Sequence, residues 1–220
     1  MAVDGSGKLY VANQLGNSVS VFDTTHRNAA LPAITCGRLE FPQGDTVSAR
    51  GKLYVANAGS NSVSIFDTAH RNALLPPITG GGLNGPYGVA VGTSGKLYVA
   101  NANNSSVSIF DTARDNAALP PITGRGLNGT VDVAVGASGK LYVANDHVSV
   151  FDTAHGNAAL PAITGGGLSG PYGVAIDASG NLYDANTKSS SVSVFDTAHR
   201  NAPLLVITRG LKHPAGVTVH

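Results

Sequence analysis

The chain has 220 residues, with 14 Lys and Arg against 13 Asp and Glu, seven His and one Cys. Sparse, nearly balanced charge offers no basic surface for nucleic acid, and no run of about 18 apolar residues exists to span a membrane. Cys36 alone excludes an intrachain disulfide or a cysteine metal cluster, and "MAVDGSGKLYV" lacks the charged and apolar regions of a secretory signal.

After the stub Met1–Val3, strand-like runs follow in the order "KLYVAN" (8–13), "SVSVFD" (18–23) and "LPAIT" (31–35). The same order then returns. The "LY" pair stands at Leu9, Leu53, Leu97, Leu141 and Leu182, spacings of 44, 44, 44 and 41. The short step arises because "ANDHVSVFD" (144–152) lacks three residues present in "ANANNSSVSIFD" (100–111). A period of this length is the mark of a repeat architecture. Five copies of about 44 residues occupy 1–220 as one domain, with no linker.

One full copy shows four strands in chain order. "YGVAV" (87–91) is small and β-branched, "KLYVAN" (96–101) follows the turn "GTSG", and "SVSIFD" (106–111) alternates with period two. "LPPITG" (119–124) ends the unit, and its prolines place it on an exposed edge, because proline cannot donate to a ladder. No window carries a helical stripe. Four strands per repeat, stacked radially, predict an all-β, five-bladed β-propeller with four antiparallel strands per blade. A β-solenoid would use shorter repeats. "HPAGVTVH" (213–220) reads as a complete inner strand that closes the ring by completing blade one. Met1–Val3 align with the same slot, so either that stub frays or the chain is a fragment of a longer array in which "GVTVH" opens another blade.

The stretch "GPYGVAIDASGNLYDAN…SVSVFDT" (170–197) is similar to the NHL repeat and to the related YVTN-type repeat of surface and periplasmic propellers. The resemblance covers all five copies. It implies a propeller, in families that are often extracytoplasmic, and leaves compartment and chemistry open.

Residues common to all copies are expected to be structural. The "FDT" aspartates (Asp23, Asp67, Asp111, Asp152, Asp196) suit turn caps. His26, His70, His155 and His199 are spread too widely around the rim to share one metal. Asn13, Asn57, Asn101, Asn145 and Asn186 end the second strand. The Gly-rich "TGGGLNGP" (79–86) lacks the Lys and helix of a phosphate loop and reads as a connection between blades.

Departures from the repeat cluster near the start of the inner strand. Glu40 stands where other copies have Asn84, Asn128, Ser169 and Lys212; Asp45 replaces a valine; Asp132 replaces a glycine. Tyr87 and Tyr172 share a position with Gln43, Val131 and Ala215, and Asp146 and His147 lie in the shortened loop of blade four. A carboxylate near a packed axis is costly unless paired, hydrated or metal-bound. Either these acids build a site, with Asn84 and Asn128 as neutral oxygen ligands to a hard cation, or they face a watery channel or pair with Arg38, Arg50 and Arg125.

Two functions follow. The first is a binding or scaffold module, monomeric, whose axial mouth takes a small molecule, glycan or peptide on Tyr87 and Tyr172, on the face carrying the inter-blade loops. No nucleic acid or membrane partner is expected. The second rests on resemblance to lactonase propellers of the gluconolactonase and paraoxonase type, which implies a metal-dependent hydrolase acting on lactones, aryl esters or phosphotriesters. That resemblance would make Glu40, Asn84, Asn128 and Asp132 ligands to Ca or another divalent cation that activates water, with Asp45 or His213 as the catalytic base.

Overall fold

The computed structural model describes residues 1–219 and contains five four-stranded antiparallel sheets, each with its strands in sequence order. The first blade comprises Ala2–Val3, Lys8–Asn13, Ser18–Asp23 and Ala29–Ile34. The inner strands of the next four are Pro42–Val47, Pro86–Val91, Asp132–Val135 and Pro171–Ile176, and neighbouring inner strands pack on one another about the axis. The chain is a five-bladed β-propeller, as the repeat predicts. One turn of 3-10 helix, Thr68–His70, is the sole helical element among the described residues.

Within a blade the second and third strands pair in unbroken register, from Lys96 opposite Asp111 to Asn101 opposite Ser106 in blade three. The outer strand is less regular. Between the pairs Val107–Ile122 and Ile109–Leu119 the register shifts, and Pro120 and Pro121 share the space opposite Ser108. Residues without an N–H thus sit in a bulge on the outermost edge, where no ladder bond is lost.

Packing between blades follows one rule. Tyr98, Val107, Ile109 and Ile122 of blade three meet Leu141, Val143 and Phe151 of blade four. The matching residues form the clusters between blades one and two, two and three, and four and five. Each fully buried aromatic or aliphatic side chain contributes on the order of 1.5–3 kcal/mol by leaving water, so the interfaces carry the fold.

Polar residues of the repeat tie turns on both faces. Asn101 donates through Nδ2 to Ser108 Oγ at 3.0 Å and accepts from the Asn84 N–H at 3.0 Å, which places the inter-blade connection beside the turn after the second strand. On the opposite face Thr112 donates its hydroxyl to the Gly95 carbonyl at 2.6 Å. The "FDT" aspartates cap their turns. Asp67 accepts from the N–H groups of Ala69 (3.0 Å) and His70 (3.2 Å), and its second oxygen meets the exposed His70 ring at 2.9 Å.

Ring closure departs from the sequence expectation. Ala2 and Val3 pair with Tyr10 and Leu9 and hold the inner slot of blade one. Residues 213–219 form no strand there, and His220 lies outside the described residues. They are anchored to blade five instead: Thr187 donates its hydroxyl to the Pro214 carbonyl at 2.9 Å, and Gly216 lies against Gly173.

Candidate functional site at the propeller axis

The inner strands surround an axial cavity of about 390 Å³, lined by Tyr87, Tyr172, Asp45 and Asp132 among small apolar residues. A bulge positions each tyrosine. In blade three, Val99 faces Val89 and Asn101 faces Pro86, so Tyr87 and Gly88 together oppose Ala100. Blade five shifts register in the same way between Pro171 and Gly173, around Tyr172. An extra residue breaks the strict alternation of side chains, and both phenols turn to the axis.

There they meet, although they come from non-adjacent blades. The rings stand edge to face, centroids 5.9 Å apart at 83°, and the hydroxyls are hydrogen-bonded at 2.5 Å. Burial, then the bond to Tyr87, raises the Tyr172 hydroxyl well above the usual tyrosine range, so it stays protonated.

Asp132 occupies a position where glycine otherwise lets inner strands touch. A Cβ on Gly44 would lie 2.6 Å from the Tyr87 carbonyl oxygen, and one on Gly173 would lie 2.7 Å from the Gly216 Cα. In blade four the side chain is present and its carboxyl sits over Gly88. It accepts from the Val133 N–H at 2.9 Å and, across the blade junction, from the Val174 N–H at 3.0 Å. Burial nevertheless pushes its pKa up to about 6, against the pull of those two N–H groups. Asp45, at a valine position, has a fully buried side chain paired with the Met1 α-ammonium at 2.6 Å. Its carboxyl is raised by burial, with the ammonium opposing.

A third buried acid escaped the sequence reading. Asp184 replaces the valine found at Val11, Val55, Val99 and Val143 in the second strand. It is fully buried and neither carboxyl oxygen has a hydrogen-bond partner. Burial, and then the charge of Asp132, push its pKa up to about 8. The same column-by-column comparison of copies that exposed Asp45 would have found it.

The remaining sequence candidates lie away from the cavity. Glu40 is exposed and drapes over Gly59, whose N–H donates to the Glu40 carbonyl at 3.0 Å. Asn84 is exposed in the connection to blade three, and Asn128 donates to Asp146 at 2.5 Å in the connection to blade four. His147 bonds Ser149 through its ring at 3.1 Å. His213 is exposed, its ring against the Thr187 carbonyl at 3.1 Å. Arg125 donates to the Asn157 carbonyl at 2.9 Å, and among the described residues no arginine forms an ion pair with Asp45 or Asp132. Glu40, Asn84 and Asn128 do not border the cavity with Asp132. No group of three or more His, Cys, Asp or Glu among the described residues is placed to hold a metal ion. The donor set therefore does not fit one axial cation.

Residues 83–110 match the NHL repeat family; they span the inner and second strands of blade three and nearly all of the third. No curated protein sequence matches the chain. Among solved structures, a nidogen/laminin complex contains a chain with TM-score 0.80 and 17% identity, covering 99% of this chain and 82% of that one. Virginiamycin B lyase from Staphylococcus aureus gives 0.78 and 12%, covering 97% and 71%. Kuenenia stuttgartiensis hydrazine synthase gives 0.71 and 18%, covering 99% and 88%. At these identities the likeness is one of fold. No helix among the described residues is long and apolar enough to cross a membrane. The chain is a five-bladed β-propeller that carries an NHL repeat.

Proposed function

We propose that the protein is a binding module whose axial mouth takes a small ligand rich in hydroxyl or amino donors, such as a sugar or a peptide amino end. The observation that carries this reading is the Tyr87–Tyr172 pair, whose hydroxyls are bonded to each other in the lining of the axial cavity. Two aromatic edges and faces offer an apolar wall, and their hydroxyls can donate or accept. Asp132, in the same lining, has lone pairs beyond those that meet the Val133 and Val174 N–H groups with which to accept from donors on the ligand. Concave sites with a few convergent polar groups are where small molecules bind. Of the groups the hydrolase reading needs, Asp45 and Asp132 line this cavity, whereas Glu40, Asn84, Asn128 and His213 do not.

The test is a heteronuclear NMR titration with monosaccharides, oligosaccharides, amines and short peptides, following shifts of inner-strand amides. A Tyr87→Ala, Tyr172→Ala double variant, shown by circular dichroism to keep its β structure, should weaken binding at least about tenfold, a loss of about 1.4 kcal/mol. A ligand that binds the double variant undiminished, or shifts only rim residues, would place the site elsewhere. Calcium, magnesium, manganese and zinc belong to the same panel. A metal-dependent gain in melting temperature that Asp132→Gly abolishes would favour the hydrolase reading instead.

A further inference from the structure

Four blade junctions are filled, and two blade faces remain without a partner blade, although on blade five Val192 and Val194 of the third strand are only 9% and 4% exposed. Ile34, Ile78, Ile122 and Ile163 are 5–8% exposed in their junctions, whereas Ile207, their counterpart on blade five, is 42% exposed. Leu205 beside it is 52% exposed. On blade one the residues matching Leu53, Val55 and Phe66 are Leu9, Val11 and Phe22. The first three are fully buried; the second three are only partly so. Blade five thus presents the leading half of the repeated junction and blade one the trailing half, with no buried cluster joining them among the described residues.

The segment after blade five lies where another blade would begin. Residues just before the inner strands of blades two, three and four donate their N–H to the turn of the preceding blade: Phe41 to Asn17 Oδ1, Gly85 to Asn61 Oδ1 and Gly129 to Ser105 Oγ, at 2.7–2.9 Å. His213 does the same to Ser190 Oγ at 3.1 Å. It also shares their positive φ, 45° against 48°, 59° and 63°. Gly216 then meets Gly173 as Gly88 meets Gly44. Ala215–Val219 line the axial cavity beside Ala2–Val3, so six inner segments, not five, surround the axis.

We propose that the seam between blades five and one is a docking slot for one further blade of this repeat, formed by three strands continuing from residues 213–219. Its trailing Leu, Val and Phe would cover Leu205 and Ile207, and its leading Tyr, Val and Ile would cover Leu9, Val11 and Phe22. Both unpartnered faces are then satisfied by the pattern that fills the other four junctions.

The experiment extends the chain. A copy of residues 93–124, which continue the inner strand in blade three, is appended after His220. The extended protein should melt at least about 10 °C higher, and amides of Lys8–Asn13 should gain protection from hydrogen exchange. A scrambled appendage of the same composition should do neither. Ile207→Asp should erase the gain in the extended chain and leave the unextended chain nearly unchanged. An appended repeat that stays protease-sensitive with no rise in melting temperature overturns the proposal. So does an unextended chain that is a dimer in sedimentation and becomes a monomer on Ile207→Asp, which would show the faces to be taken by a second copy.

Discussion

The junction between blades two and three and that between blades four and five use the same positions, yet one buries a valine where the other buries an acid. Val99 lies fully buried among Tyr54, Ile65, Leu97 and Phe110. Asp184, its counterpart on the blade whose junction buries Tyr142, Val150, Leu182 and Phe195, is equally buried, with both oxygens unpartnered. The strands around them keep the same pairing, Val99 opposite Ser108 and Asp184 opposite Ser193. The repeated Tyr, Val, Ile, Leu and Phe positions specify the junction so redundantly that a misfit carboxyl does not reshape it. The carboxyl adapts instead, by holding its proton.

Substitutions can break or sharpen that comparison. The largest effect is expected in the apolar junction: Phe110→Ala should cost about 3–5 kcal/mol through lost burial and a residual cavity, read from urea unfolding at pH 7. A loss below about 1 kcal/mol would mean that the junctions do not carry the fold. Next, and opposite in sign, Asp184→Val should stabilise by about 2–4 kcal/mol at pH 8.

The pH dependence has a definite sign. A carboxyl whose folded pKa is raised binds its proton more tightly folded than unfolded, so stability falls as pH rises from the unfolded value towards the folded one. For Asp184 that window runs from 3.8 to about 8, and for Asp132 from 3.8 to about 6. The gain from Asp184→Val should therefore shrink towards pH 4; a gain that does not vary with pH would show that Asp184 is not neutral at low pH and charged at high pH. Asp132→Gly should have the smallest effect on stability, about 1 kcal/mol or less. Relief of burial is offset there by loss of two N–H contacts. Its signature is elsewhere: carbon-13 carboxyl NMR should show the Asp184 pKa moving down once the neighbouring charge is gone. An unmoved Asp184 would mean that the two carboxyls do not interact.

Much of this architecture could be read from the chain before any coordinates. Spacing of the "LY" pairs gave the blades, the prolines marked the outer edges, and the recurring Asp and Asn residues gave the turn ties, because each signal repeats five times. The axial tyrosines were legible as departures from the repeat. Other features were not. Glu40, Asn84 and Asn128 occupy the right stretch of the repeat, but a position just before the inner strand lies in the connection, several ångströms of chain away from the axis. Chain order alone could not say whether Ala2–Val3 or residues 213–219 hold the inner slot of blade one. Pairing decides it: Ala2 and Val3 reach Tyr10 and Leu9 through a tight turn, while the other segment is already tethered to blade five.

That tether has a kinetic consequence. The inner strands of blades two, three and four, and the segment that follows blade five, are fastened to the blade before them by a bond between residues only 23 or 24 positions apart, as from Gly85 to Asn61. Nearly every stabilising contact therefore joins a blade to itself or to its immediate predecessor in the chain. Such a molecule has low contact order for an all-β protein and need not search for distant partners. It can grow in one direction, as a polypeptide leaves the ribosome, each new blade condensing on a finished face.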